Sequence, residues 1–499
     1  MSEFVVVLDA GTGAGRCIVY DREGRAVASA YREWQNITPD PHDPERREFS
    51  PEEWWTTLAS LVRSAVPDPR DVSCITCTSQ REGVLFLDGS GRVLYAGPNI
   101  DFRALGQGER LARAHGREIY DITGHWPHGI FAAARILWFK ENAPEVVSSL
   151  RHLLLINDWI TYRLSGQMLH EPSNACETLL YDIHGNKWSE YLFDLVDIPR
   201  TVVSDIVWPG TVVGRLTREA ARETGLLEGT LVCAGGGDTQ CAVLGTGGCD
   251  PFYTVAVCGS STPVQTVLGE PLLDPGARMW TCSHAVKDRW VLDSSCRPTG
   301  VVYRWLRDTL FPGDPEGYEK MNDEAAACPP GSNGALSFMG PSVSNTINQV
   351  FYPGTWAGIT PGFEPHLANR GIFPRSVLEN IAFAIRGNCE QIHEVSPSDD
   401  AAVHVTGGMV RGRVFQEILS GVLGREVYVH EAECTGRGAA ILAAVGTGLY
   451  SSLSDAVRAM VEKPHVVTPD PEVSRVYERV YRRWVMLDRR LREMYSSLR

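Results

Sequence analysis

The 499-residue chain lacks a surplus of positive charge: 47 lysines and arginines stand against 61 aspartates and glutamates, a formal net charge of −14. With no basic excess to neutralise phosphates, no general nucleic-acid or anionic-membrane partner is expected. Any phosphate ligand has to be held locally, by backbone amides and a metal ion. Long apolar runs are missing as well. The opening MSEFVVVLDAGTG carries only a short apolar stretch ended by Asp9, so no signal peptide is expected, and no segment is long and uncharged enough to span a bilayer. The glycines from Gly11 to Gly15 precede a strand rather than a helix, which excludes a dinucleotide fingerprint, and no Gly-Lys-Ser/Thr ending makes them a Walker loop. Cys74-x-x-Cys77 has no second pair to answer it, so zinc is not expected there. The thirteen cysteines, an odd number scattered through apolar segments, read as reduced core thiols of a cytoplasmic protein.

What is present is a soluble globular composition, 43% hydrophobic and 22% charged, on a chain too long for one ordinary core. No low-complexity linker marks a boundary. The best division lies near Gly247–Pro251, giving domains at 1–247 and 248–499. Just before it stands the most informative stretch, Leu231–Gly247 (LVCAGGGDTQCAVLGTG). A short apolar strand runs into Gly235, Gly236 and Gly237, read as a tight turn, and Asp238 opens a helix over Thr239–Leu244. A helix start of this kind leaves backbone N–H groups free for an anion. The carboxylate of Asp238 either caps the helix or faces something bound.

Phe4–Asp9 is a β-branched strand, Gly11-Thr12-Gly13 a turn and Arg16–Tyr20 a returning strand, with a third strand around Ala26–Ala30. The arrangement recurs after the central Asp: Phe252–Val257, the turn Gly259-Ser260-Ser261-Thr262, and Val264–Leu268. Two strand–turn–strand openings suggest two related halves, the layout of actin-like ATPases, in which paired hairpins grip a nucleotide's phosphates. Between them, Gln80-Arg81-Glu82 interrupts two apolar strands, and charged residues at such a place mark a strand end facing a cleft or a structural ion pair. Pro98-Asn99-Ile100-Asp101-Phe102-Arg103 is a second polar cluster. A polyol pocket needs donors and acceptors of these types. Leu153–Leu164 reads as a helix and Pro172–Ala175 as a capped loop. Further on come a strand over Ala401–Thr406, the turn Gly407-Gly408, a helix over Val410–Leu423, and a small-residue helix over Gly436–Val445 suited to close packing or close ligand approach.

In this order the pieces resemble the FGGY carbohydrate kinase family along nearly the whole chain. Asp9-Ala10-Gly11-Thr12-x-x-x-Arg16 is similar to its first phosphate motif, Gly235-Gly236-Gly237-Asp238 to the segment with its catalytic base, and Gly407-Gly408 to its adenosine motif. Trp356–Thr360 with Arg375–Glu379 looks like its C-terminal signature, and Glu433–Ala444 like the helix that follows the adenosine motif. Met409 departs from the usual third small residue, a change that bears on the adenine pocket. Ser260-Ser261 replaces a Thr-Ser pair and keeps the hydroxyl. Longer strings such as REGVLFLD, PNIDFRA and INDWITYRLSG are most similar to the autoinducer-2 kinases of that family.

The resemblance implies an α/β chain of two actin-like (ribonuclease H-like) ATPase domains flanking a nucleotide cleft. It implies ATP and Mg²⁺ as cofactors and a small sugar or polyol as substrate, and leaves the oligomeric state open, a homodimer being one candidate. Asp238 would be the catalytic base. Gln80, Arg81, Glu82, Asp101, Asp238 and Thr239 would bind substrate. Gly11, Thr12, Gly13, Arg16, Gly259, Ser260, Ser261, Gly407, Gly408 and Met409 would bind ATP, and Asp9 with Asp238 would hold the metal through water. The acceptor read this way is a small open-chain polyhydroxy carbonyl compound, with a xylulose-, ribulose- or glycerol-type polyol as the alternative. An actin-like regulatory module without an acceptor would explain the paired hairpins, but not Gln80-Arg81-Glu82.

Overall fold

The computed structural model describes residues 4–348, 353–360, 369–398, 402–430 and 433–497. Two seven-stranded mixed sheets organise the chain. The first is built from β1 (Phe4–Ala10), β2 (Ala14–Tyr20), β3 (Ala26–Glu33), β4 (Val72–Ser79), β5 (Val212–Arg215), β6 (Leu231–Cys233) and β7 (Gly236–Gly237). Its order is β5-β6-β4-β1-β2-β3, with β7 beside β4. The second contains β8 (Thr254–Val257), β9 (Ser261–Leu268), β10 (Trp280–Ser283), β11 (Trp290–Pro298), β12 (Val403–Thr406), β13 (Val427–Val429) and β14 (His465–Val467), in the order β10-β11-β9-β8-β12-β13-β14. Both follow one plan. The leading strand, β1 or β8, pairs antiparallel with the strand after its turn and parallel with a later one, β4 or β12. The repeat expected from the two hairpins is therefore a repeat of topology. Val5 to Leu8 are buried without alternation because both faces of their sheet are covered.

The run Gly235-Gly236-Gly237 differs from expectation. It is not a tight turn. None of the three has a positive φ, and Gly236 and Gly237 extend in parallel beside Thr78 and Ser79 of β4. Glycine is required here for closeness, since a Cβ on Gly235 would sit 1.9 Å from the Cys77 carbonyl oxygen. The Leu153–Leu164 expectation also needs correction. His152–Leu155 is a strand, antiparallel to Val84–Leu87, and the helix spans Ile156–Ser165. Three buried leucines favour the strand, and the Asp158 carboxylate accepts the Leu155 N–H at 3.2 Å and so sets the helix start. Pro172–Ala175 is one helical turn whose N–H groups donate to Glu171. The helix expected over Val410–Leu423 begins at Arg413, after a 3₁₀ turn over Gly408–Arg411. All thirteen cysteines are free thiols, and the Cys77 thiol faces the Asn157 carbonyl at 3.2 Å. Among the described residues no helix is long and apolar enough to cross a membrane.

Between the sheets lie two helices, Asp238–Gly245 and Cys434–Gly446, within a core to which Val5, Val7, Ile18, Leu244, Ala440 and Ile441 all contribute. Their backbones nearly touch. A Cβ on Gly245 would lie 1.9 Å from the Cys434 carbonyl oxygen, and one on Gly438 the same distance from that of Cys241. Gly438→Ala therefore forces the pair apart, and unfolding by heat or denaturant should show a loss of about 1–3 kcal/mol. Gly13→Ala, where a Cβ meets nothing within 4 Å, should leave stability unchanged.

Candidate active site

A cleft of about 590 Å³ opens between the two sheets. Its walls are the β1–β2 turn (Gly11, Thr12, Gly13), the β8–β9 turn (Gly259, Ser260, Ser261), and the start of the helix at Asp238 and Thr239. In the β1–β2 ladder Asp9 is directly opposite Arg16, and the Gly11 N–H closes the turn on the Ala14 carbonyl at 3.0 Å. The helix start has its cap at Gly237, with no side-chain capping bond, so Asp238 is the first helical residue and not the N-cap. Its carboxylate accepts the adjacent Thr239 N–H at 2.7 Å, with no other side chain bonded to it among the described residues, and faces the cleft.

The electrostatics follow from how anions and cations are distributed. Burial pushes Asp9 up to about 7, the nearby Asp238 adds to the shift, and Arg16 opposes it. Burial likewise brings Asp238 to about 6 against the pull of Arg81. The Asp9 carboxylate accepts no hydrogen bond among the described residues, so two underpartnered carboxylates share one space. Arg16 is held by Glu433 at 2.6 Å and lies over the Tyr31 ring. Arg81 is held twice at 3.0 Å, by Glu177 and by Asp293 of β11, so it ties the two sheets together. Burial works against its charge, but these two carboxylates outweigh burial and keep the guanidinium protonated. Glu177 in turn faces His125 at 3.1 Å. Glu82 lines the cleft with a backbone φ of 60°, a strained value for a non-glycine residue, and burial with the neighbouring Glu177 charge raises its pKa.

Of the residues singled out from the sequence, Asp9, Gly11, Thr12, Gly13, Arg16, Arg81, Glu82, Asp238, Thr239, Gly259, Ser260 and Ser261 all line this cleft. Gln80 does not. It is buried beneath the first turn, where its Oε1 accepts the Asn99 N–H at 3.0 Å and its amide reaches the Gly11 carbonyl at 3.4 Å. Asp101 is also away from the cleft. Fully buried, it accepts from Arg103, the Arg47 N–H and the Tyr95 hydroxyl, which makes it a structural anion. Gly407, Gly408 and Met409 are not among the lining residues but are joined to the second turn through Cys258: the Met409 N–H donates to its carbonyl at 3.2 Å, and a Cβ on Gly407 would lie 2.5 Å from that oxygen.

From the polar cluster Pro98–Arg103 it is Asn99 that lines the cleft, accepting the Thr12 hydroxyl at 3.0 Å, and the structure adds Tyr31, Glu33, Ser295 and Arg304, which sequence reasoning passed over. Asp293 had a signal: a charge inside the apolar run WVLDSS, the same anomaly that drew notice to Gln80-Arg81-Glu82. Glu177 had none, standing just after the segment Pro172–Ala175 read as a capped loop.

Comparison with known proteins agrees with this geometry. Residues 4–245 match the N-terminal domain of the FGGY family of carbohydrate kinases, and residues 254–447 its C-terminal domain. The chain is 28% identical to the autoinducer-2 kinase of Escherichia coli (strain K12) over 499 residues, covering 96% of this chain and 93% of that protein. Its fold superposes on the xylulose kinase of Rhodospirillum rubrum with a TM-score of 0.85 and 25% identity, covering 99% of this chain and 100% of that one. For the gluconate kinase of Lactobacillus acidophilus the TM-score is 0.88 at 21% identity, with 99% of each chain covered.

The two-carboxylate hold on Arg81 gives a direct expectation. Asp293→Ala leaves the buried guanidinium with the Glu177 carboxylate and removes the nearer acceptor of the Gln265 amide, bonded at 2.8 Å, whose other acceptor is the Thr239 hydroxyl at 3.3 Å. Stability should fall by about 3 kcal/mol, the lower end for unpairing a buried charge because one anion stays. Denaturant titration reads this, and an unchanged midpoint would show that the bridge between the sheets contributes nothing.

Proposed function

The chain belongs to the FGGY family of carbohydrate kinases, and from that premise we propose that its cleft moves the γ-phosphoryl group of ATP to a hydroxyl of a small open-chain polyhydroxy carbonyl compound of the autoinducer-2 precursor type. The observation that carries the reading is Asp238. Its carboxylate stands at a helix start between two glycine-containing turns, gives one oxygen to the Thr239 N–H and faces the cleft, and at about 6 is ionised at neutral pH. The acceptor class follows the E. coli relative and the donors and acceptors of the cleft wall. In this reading residues 1–247 carry substrate and base, and residues 248–499 the nucleotide side.

The chemistry then runs as follows. Asp238 accepts the proton of the acceptor hydroxyl as that oxygen attacks the γ-phosphorus in line. An alcohol is a weak acid, so the proton moves late and positioning matters as much as basicity. The N–H groups of Arg81 not used on Glu177 and Asp293, with the Glu82 carboxylate and Asn99, hold the remaining hydroxyls. The glycines of the two turns allow phosphate oxygens to approach the backbone, and Ser260 adds a hydroxyl donor. The pair Asp9 and Asp238, both raised by burial and short of donors, fits a magnesium ion. Bound with ATP, that ion supplies positive charge against the phosphates. Closing the cleft over the acceptor excludes water, which otherwise competes for the phosphoryl group.

An ADP-release screen across open-chain polyhydroxy ketones, ketopentoses, aldoses, glycerol and the dihydroxypentanedione precursor tests the acceptor. ADP release should rise most with the dihydroxypentanedione. A larger response to xylulose, ribulose or glycerol would move the assignment to that polyol, and no response to any acceptor would remove the kinase reading. Gly11→Val tests the first turn. The new Cβ meets only the Ala14 carbonyl, at 3.4 Å, so the fold should stand, while the side chain occupies phosphate space and abolishes ATP binding in calorimetry. Unchanged affinity in the folded variant would take that turn out of the site.

A further inference from the structure

The contact between Glu177 and His125, behind Arg81, belongs to a larger cluster. The ring Nε2 of His125, the Sγ of Cys176 and a carboxylate oxygen of Glu177 all lie within 4.8 Å of one another. The Sγ of Cys282 is a fourth neighbour, 3.6 Å from the same ring nitrogen. All four side chains are fully buried. The His125 Nδ1 lies 2.7 Å from the Thr123 carbonyl, which can only accept, so Nδ1 carries a proton and holds the ring with Nε2 turned into the cluster. Glu177 divides its oxygens. Oε1 accepts from Arg81 at 3.0 Å, while Oε2 stands 3.1 Å from Nε2 without the alignment of a hydrogen bond and has no hydrogen-bond partner among the described residues. The Arg81 guanidinium, 3.8 Å from the Cys282 sulfur, favours a thiolate there. The rings of Phe131 and Trp280, centred 5.4 and 5.2 Å from the imidazole, give the cluster an apolar flank.

We propose that His125, Cys176, Glu177 and Cys282 form a zinc site that joins the two halves of the chain. A tetrahedral ion with bonds of about 2.0 Å to nitrogen and oxygen and about 2.3 Å to sulfur spaces its ligands about 3.3 Å (N to O) and about 3.5 Å (N to S) apart. The separations of 3.1 and 3.6 Å match those edges. One imidazole, two thiols and one carboxylate suit zinc, because sulfur and nitrogen donors select it over magnesium, which takes oxygen. As the ion enters, each thiol releases its proton to solvent and a Zn–S bond forms, with no change of oxidation state. His125 binds as the neutral imidazole through Nε2, and Glu177 through Oε2, leaving Oε1 on Arg81. Three of the ligands come from the first half: His125 just after the helix Leu105–Thr123, and Cys176 and Glu177 in the 3₁₀ turn Cys176–Thr178. Cys282 comes from β10 of the second sheet. The ion therefore fastens one half to the other beside Arg81, and with every ligand buried it is taken up or released only when the halves part.

The test titrates zinc into the full-length protein, stripped of metal by a chelator and kept reduced by a phosphine, with magnesium in excess to occupy the cleft carboxylates. One zinc should bind per chain, release protons and raise the melting temperature. Cobalt(II) in its place should give the intense visible bands of a tetrahedral ion together with sulfur-to-metal charge transfer. X-ray absorption at the zinc edge should show two sulfur and two nitrogen or oxygen neighbours, a readout that needs no variant. Cys176→Ser and Cys282→Ser each remove one ligand with little change of size, and Cys282→Ala replaces the latter if it does not fold. Each should weaken zinc binding by about a hundredfold or more, since losing even an outer partner of a ligand costs up to that much, and should leave a single sulfur neighbour. Cys249→Ser, outside the cluster, should bind zinc as the parent does. A parent that binds no sulfur-ligated zinc would overturn the proposal, and so would a folded Cys176 or Cys282 variant that keeps both sulfur neighbours. Either result leaves the kinase reading intact, because the magnesium-loaded protein does not use this site.

Discussion

Two helices, Asp238–Gly245 and Cys434–Gly446, cross between the sheets with glycine notches where other residues would put side chains, and the active-site geometry depends on that contact. The two run antiparallel across the contact: Gly245, at the end of the first helix, meets Cys434 at the start of the second, and Gly438 meets Cys241. Glu433 holds Arg16 of the β1–β2 hairpin, and its carbonyl accepts the Tyr20 hydroxyl at 3.0 Å. A hairpin from one sheet is thus tied to a helix from the other half of the chain. The small-residue run GRGAAILAAV serves this approach: Gly436 makes room for the Tyr20 ring, and Gly438 for the neighbouring helix backbone. Of the two uses its sequence suggested, close packing is the one the structure displays.

A second constraint is charge. A chain with net charge −14 that handles a polyanion has to ration its cations. Arg81 and Arg16 are fixed by carboxylates before any ligand arrives, which makes them positioned donors more than mobile counter-ions. Arg81 also ties the cleft wall to the seating of one sheet on the other, because Asp293 belongs to β11 and Glu177 to the first half. The cleft carboxylates remain short of donors, and their repulsion is relieved by a cation or by a proton.

Sequence and structure agree best where backbone chemistry is local. The paired hairpins, the glycines and the helix after Asp238 were readable because β-branched runs, turn residues and a helix start each leave a short-range signature. The reading weakened where tertiary contacts decide. Gly235 to Gly237 look like a turn from composition alone, and only the nearness of Cys77 shows why glycine is needed in an extended segment. Asp238 reads equally as a cap, since the cap position differs from it by one residue. Asp101 has the residue type of a sugar ligand, yet Tyr95, Arg103 and the Arg47 N–H occupy its oxygens; the pairing with Arg103 is the structural alternative its sequence also offered, and only the Arg47 contact, 54 residues away, has no local signature. Glu177 and Arg304 become visible only once the two halves are brought together.

The central claim is that the Asp238 carboxylate is the base. The most direct measurement is kcat of Asp238→Asn with the preferred acceptor, taken alongside its melting temperature and ATP affinity. Asparagine keeps the size and one oxygen for the Thr239 N–H, so the fold and nucleotide binding should persist. The account predicts a fall in kcat of roughly two to four orders of magnitude, the usual worth of a positioned base. A folded, ATP-binding Asp238→Asn enzyme with near-normal turnover would contradict it.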